Sequence, residues 1–356
     1  MSIGISISDD DVLYIADTYN HCVVVVVNLS SISNVSIIGS GPGSGSSQFD
    51  QPFDVAVRNA TLYILDVGNH RIQKRPLNGS NSSAVSRLTG IYGSFYFYVD
   101  NDHNIYLSQS AYHRVLLFLP NTTTGTIVAG TGVAGSNTSQ LSSPYGIFVN
   151  QQRTIYIADC HNHRIMKWSL GASEGIIVAG NGTVGSSLAQ VTYPTQVIVD
   201  TNGYIYISES GNSRITRWKP NSTFGECIAA CTGGSGNAAN QIVGPHSLAF
   251  DSYGSLYVND RYNYRIQKFQ ILSYNSKYSF LHFFLLICLT SVDSDTNQTE
   301  KMVYSKSFFS FQMFHTISQH FVRQRDGIPM QRPSPMLVWL GHLSTIFLWI
   351  SMIVFM

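Results

Sequence analysis

Four histidines recur at one kind of position: His21 before Cys22, His70 before Arg71, His113 before Arg114 and His163 before Arg164. An imidazole beside a guanidinium has the chemistry of a general base or a metal ligand. Asp66, Asp159 and Asp260 precede Arg71, Arg164 and Arg265 by five residues, a spacing that suits a carboxylate–guanidinium pair. Gly130-Thr-Gly132-Val-Ala-Gly135 and Gly180-Asn-Gly182-Thr-Val-Gly185 both fit the G-x-G-x-x-G spacing of a dinucleotide loop. A phosphate cradle needs such a loop to open a helix, whose N-terminal amides face the anion. Here the glycines lead from one β-rich run to the next, with a looser version at Gly41-Pro-Gly43-Ser-Gly45, so they read as connecting turns. Asp9-Asp10-Asp11 and the turn at Asp100 and Asp102 lack the glycine and distal glutamate of a calcium loop. No metal, nucleotide or other cofactor is expected.

The elements that must position these residues repeat. Leu13-Tyr-Ile-Ala-Asp17-Thr-Tyr-Asn20-His21 returns as Leu62-Tyr-Ile-Leu-Asp66-Val-Gly-Asn69-His70-Arg71, and again from Ile105, Ile155, Ile205 and Leu256. The leading tyrosines, at 14, 63, 106, 156, 206 and 257, are spaced by 49, 43, 50, 50 and 51 residues. Each unit holds short β-rich runs separated by turns such as Asp200-Thr-Asn-Gly203 and Asp251-Ser-Tyr-Gly254. Such a period, built from strands, is that of propeller blades. In a propeller the repeated histidines fall in separate blades and cannot share one metal. The Asp–Arg pairs are then expected to fix the hairpin register.

The Asp-x-x-Asn-His-Arg-Ile core, closest to form in Asp159-Cys-His-Asn-His-Arg-Ile165, resembles the NHL repeat over about residues 1–270. The resemblance implies an all-β, six-bladed propeller of four-stranded antiparallel blades. Cys22 stands where that pattern has Arg, and Gln109 and Tyr112 stand where it has Asp and Asn, so the third blade is expected to be irregular. The resemblance further implies that the residue just after the proline, entering each innermost strand, lies near the mouth of the central channel. Those residues are Phe53, Tyr145, Thr195 and His246, which differ from blade to blade and are the candidate ligand-binding set. Replacing Tyr145 and His246 together by alanine is expected to abolish partner capture with thermal unfolding nearly unchanged. Gly244-Pro-His246 also resembles peptidyl-amidating lyases, which present Pro-His on three blades to hold zinc. This chain has it on one, so no catalytic residue and no enzymatic activity are expected.

The chain has 356 residues, 44% hydrophobic and only 12% charged, with 21 Lys plus Arg against 20 acids. A net charge of +1 argues against a nucleic-acid binder, and the hydrophobic share argues against disorder. Ten Asn-x-Ser/Thr sequons occur, at Asn28, Asn34, Asn59, Asn78, Asn81, Asn121, Asn137, Asn181, Asn221 and Asn297. The N-terminus shows neither a basic nor an apolar leader segment. Cys227 and Cys231 would lie about 13 Å apart in an extended strand, beyond disulfide reach of about 7 Å unless the strand breaks. They are expected as small buried residues.

After Gln270 the repeat register is lost, and the outer strand of the sixth blade is not evident. Residues 271–335 read as an irregular tail or linker. Residues 336–356 carry no Asp, Glu, Lys or Arg and have the length of a membrane-spanning helix. The combined expectation is a monomeric, non-enzymatic recognition propeller binding a protein or glycan partner, outside the cell or anchored at its surface. The alternative is a cytoplasmic target-recognition propeller related to tripartite-motif ubiquitin ligases, although no RING-type Cys/His spacing is present.

Overall fold

The computed structural model describes residues 2–27, 29, 34–77, 88, 91–231 and 234–271, and the backbone of 286–290. Blade 1 consists of β1 (Ser2–Ile7), β2 (Leu13–Asp17), β3 (Cys22–Val27) and β4 (Asn34–Ile38). Blade 2 has β5 (Pro52–Arg58), β6 (Thr61–Asp66) and β7 (Arg71–Pro76), three strands among the described residues. Blade 3 is β8 (Ser94–Val99), β9 (Ile105–Gln109), β10 (Arg114–Phe118) and β11 (Thr126–Ala129). Blade 4 is β12 (Pro144–Val149), β13 (Ile155–Asp159), β14 (Arg164–Trp168) and β15 (Ile176–Ala179). Blade 5 is β16 (Pro194–Val199), β17 (Ile205–Glu209), β18 (Arg214–Trp218) and β19 (Gly225–Ala229). Blade 6 is β20 (Pro245–Phe250), β21 (Ser255–Asp260), β22 (Arg265–Gln270) and β23 (Leu286–Thr290). Every sheet is antiparallel and in simple chain order, so each blade is one continuous stretch of chain.

The second strand of a blade is apolar because neighbouring blades cover both of its faces. All five residues of Ile155–Asp159 are buried, as are those of Ile205–Glu209. Six hydrophobic clusters result, one for each contact between adjacent blades. The cluster of Ile5, Leu13, Val26, Tyr257 and Ile266 joins blade 6 to blade 1 and closes the ring. Closure is reinforced where Ile5 N–H donates to Ser247 Oγ at 3.2 Å and Ser252 donates twice to Asp11, at 2.7 and 2.6 Å. The turns opened by Asp100, Asp200 and Asp251 are hairpin turns in which that aspartate accepts two backbone N–H groups.

Three features differ from the expectations. Blade 3 has all four strands in register despite its degraded repeat. The propeller backbone runs past 270, because β23 pairs with β22 from Phe269 opposite Leu286 to Arg265 opposite Thr290. An apolar run without the repeat's glycine loop supplies that strand, and pairing satisfies the edge of β22 that would otherwise stay open. Cys227 and Cys231 form a disulfide with Cα atoms 5.6 Å apart. The extended span ends with β19 at Ala229, and Ala230 turns the chain back in the left-handed region at φ 56°. Among the described residues no helix is long and apolar enough to cross a membrane. Of the tail at 271–335 only residue 271 and the backbone of 286–290 are described, and the candidate span at 336–356 lies outside the described residues.

Candidate functional site

The repeated polar residues are spent on joining blades. Arg164 Nε lies 2.8 Å from Asp159 Oδ2, and its other nitrogens donate to the carbonyls of Ser136, Asn137 and Gln140 in the glycine loop arriving from blade 3. Asn162 bonds both Asp159 and the Gly135 carbonyl, and Ser142 N–H donates to Asp159 Oδ1 at 2.7 Å. Asp66–Arg71, at 2.8 Å, and Asp260–Arg265, at 2.7 Å, repeat the arrangement, and Glu209–Arg214 does so at 3.2 Å. Contact is through a single nitrogen, because the rest of each guanidinium serves the loop. Gln109 accepts from Arg114 Nε at 2.7 Å, which keeps the third blade's geometry without a charge. Glycine is required at 130, whose φ of 77° is left-handed and where an added Cβ would stand 2.5 Å from the His113 carbonyl oxygen.

The histidine repeat is structural in the same way. His21, His113 and His163 sit in the left-handed region, with φ of 53°, 52° and 52°. Their Nδ1 atoms accept the N–H of Gln51, Ser143 and Tyr193, just before the next blade's inner strand. Burial, helped by nearby His161, holds the pKa of His163 below its usual range.

Each inner strand is bulged just after its first residue, as at Pro52/Asp54, Ser94/Tyr96 and Pro245/Leu248. Such a bulge re-aims the next side chains. Near the first residues of the inner strands, Phe53, Phe95, Tyr96, Tyr145 and His246 converge from four blades. Ring centroids lie 4.8 Å apart for Phe53–Phe95, 6.1 Å for Phe95–Tyr145 and 5.5 Å for Tyr96–His246. Tyr96 and His246 come from opposite sides of the ring and hydrogen-bond through the phenol and Nδ1. Arg261, in the turn after β21, donates to His246 Nε2 at 3.2 Å. That donation makes Nε2 the acceptor, so Nδ1 carries the proton and donates to the Tyr96 oxygen.

Electrostatics keep this bar neutral. Burial, with the Arg261 charge behind it, pushes His246 down to about 3. Burial also raises Tyr96, with a smaller push from Asp54. Asp54 is itself raised well above the carboxylate range by burial, although the N–H groups of Phe97 and Val55 donate to it. Both nitrogens of His246 are engaged, so neither offers a free lone pair to a substrate. Among the described residues no group of three or more His, Cys, Asp or Glu gathers in a metal-binding arrangement.

Of the four residues read from sequence, the structure brings Phe53, Tyr145 and His246 together. Thr195 turns away, with Oγ1 2.8 Å from Ser208 Oγ and 2.8 Å from the Pro245 carbonyl. Phe95, Tyr96 and Arg261 were missed. Ser94 replaces the marker proline in blade 3, yet the register Ser94–Gln109 matches Pro144–Asp159 and would have pointed to Phe95. His246 is 3% exposed and Tyr96 0%, so removing His246 cannot leave unfolding unchanged as first expected.

With this geometry in hand, the class is clear: a six-bladed β-propeller. Residues 3–26 match the NHL repeat family. The chain is also similar to human NHL repeat-containing protein 2, at 37% identity over 89 residues, 24% of this chain and 12% of that protein's length. Among solved structures it is similar to an auxiliary nutrient binding protein from Bacteroides thetaiotaomicron, with TM-score 0.57 and 15% identity over 75% of this chain and 68% of that one. It is similar to a gluconolactonase from Xanthomonas campestris, with TM-score 0.52 and 14% identity over 72% and 82% of the two chains. Virginiamycin B lyase from Staphylococcus aureus gives TM-score 0.50 and 12% identity over 77% and 81%. At these identities the likeness is one of fold.

Proposed function

We propose that the chain is a non-enzymatic recognition module that holds a protein or glycan partner at its channel mouth, outside the cell or at its surface. The observation that carries this reading is the convergence of residues that break the repeat. Phe53, Phe95 and Tyr145 are half-buried aromatics without a structural partner role like that of the Asp–Arg locks, and such groups make strong binding anchors. A binding role suits His246 better than general-base catalysis, because both its nitrogens are occupied.

The location is supported by the sequons. Asn34, Asn59, Asn121, Asn137, Asn181 and Asn221 are all exposed. Asn34, Asn59, Asn121 and Asn221 lie at the blade ends opposite the mouth, so glycans there would leave the mouth free. The Cys227–Cys231 disulfide suits an oxidising compartment. Treating the full chain from its own cells with an N-glycan-removing enzyme is expected to increase its gel mobility by several glycans' worth. An unchanged mobility overturns the extracellular reading and favours the intracellular adaptor.

A further inference from the structure

The position after the repeat's acid, or after Gln109 in blade 3, holds Thr18, Val67, Ser110, Cys160 and Ser210 in the first five blades, and Arg261 in the sixth. This arginine has none of the partners of the repeat arginines. Its contacts are His246 Nε2 at 3.2 Å and the Tyr262 ring, 5.3 Å from its guanidinium carbon. Its Nε is buried without a hydrogen-bond partner, and among the described residues no carboxylate lies within ion-pair distance. Leaving a buried N–H of a permanently charged group unpartnered is destabilising. Arg261 is only partly buried, so an anion can approach its guanidinium and relieve the cost. The charge belongs to the mouth, since it acts on His246, Tyr96 and Tyr145.

One guanidinium balances one negative charge, which fits a monoanion better than a phosphate dianion. The surrounding surfaces select the rest of the ligand. Phe53 and Phe95 offer flat faces and no hydrogen-bonding atoms, an environment for an apolar body. Resting on the recognition reading of this mouth, we propose that it binds a carboxylate carried on a flat apolar body. Arg261 pairs with the carboxylate, and Phe53, Phe95 and Tyr145 pack against the body.

The test titrates the full chain with 3-phenylpropionate and with its neutral amide, followed by calorimetry or ligand-observed NMR. The acid is expected to bind about tenfold more tightly or better, as a charge-assisted pair gives. Arg261→Gln should reduce the acid to the amide's level, and the glutamine amide can still donate to His246 Nε2. A short peptide ending in phenylalanine, as free acid and as amide, shows whether a chain terminus is preferred to a free acid. Equal binding of acid and amide by the unaltered chain overturns the inference, as does an acid preference that survives Arg261→Gln. The acid–amide comparison needs no variant, so it decides even if Arg261→Gln folds poorly. Loss of the preference with partner capture intact would remove the carboxylate and leave the recognition reading standing.

Discussion

Replacing Arg164 by alanine is expected to destabilise the propeller by about 3–5 kcal/mol, the usual cost of orphaning a buried charge. Asp159 is fully buried and Arg164 is 3% exposed, so water cannot take the place of the guanidinium. The substitution also releases three carbonyls of the glycine loop, loosening blade 4 from blade 3. Burial already raises Asp159 above the usual carboxylate range with its partners in place. Without Arg164 it rises further, and protonation relieves the orphaned charge, so the loss should be larger at pH 8 than at pH 5. Blade 3 provides an internal comparison. Arg114 faces the neutral Gln109, so Arg114→Ala should cost only about 1 kcal/mol, the worth of an ordinary hydrogen bond. Urea unfolding of the two variants measures the difference. Equal costs would contradict the view that buried charge holds the blades in register.

His246→Ala is expected to cost about 3 kcal/mol or more, since it leaves a cavity and strips the fully buried Tyr96 phenol of its partner. The same histidine gives stability a pH dependence of definite sign. Its folded pKa, about 3, lies below the unfolded value near 6.5. Between these values the unfolded chain binds a proton that the folded chain does not, so stability falls as the pH is lowered from about 6.5 towards 3. The slope approaches about 1.4 kcal/mol per pH unit inside the window. Asp54, raised by burial, acts in the opposite sense above the ordinary carboxylate pKa, because there the folded form holds the extra proton. The clean quantity is therefore the difference in stability between the unaltered chain and His246→Gln. It should shrink as the pH falls through the window, and a difference independent of pH would show that His246 is not held neutral.

The blade architecture was legible because a propeller writes its structural contacts at every repeat. Asp66, Asn69 and Arg71 recur at fixed spacing since Asn69 and Arg71 must reach carbonyls of the preceding loop while both donate to Asp66. The mouth was only partly legible. Its residues are marked by not repeating, and the proline that marks them is absent from blade 3, which hid Phe95 and Tyr96. Thr195 shows the opposite failure, a variable residue at the right position whose short side chain reaches Ser208 instead of the axis. The disulfide was missed because one left-handed residue, Ala230, undoes an argument based on extended chain. The strand β23 was missed because its edge-pairing role requires no repeat signature.

The mouth as the working face is tested most directly by partner capture. The immobilised full chain is exposed to the surface-biotinylated protein and glycoprotein fraction of its own cells, and the retained biotin is measured. Phe95→Ala combined with Tyr145→Ala should lower retention by about thirtyfold, as loss of aromatic anchors worth about 2 kcal/mol implies. Phe224→Ala combined with Tyr253→Ala, at the opposite blade ends, should retain as much as the unaltered chain. Undiminished retention by the first pair, or loss confined to the second, would contradict the account.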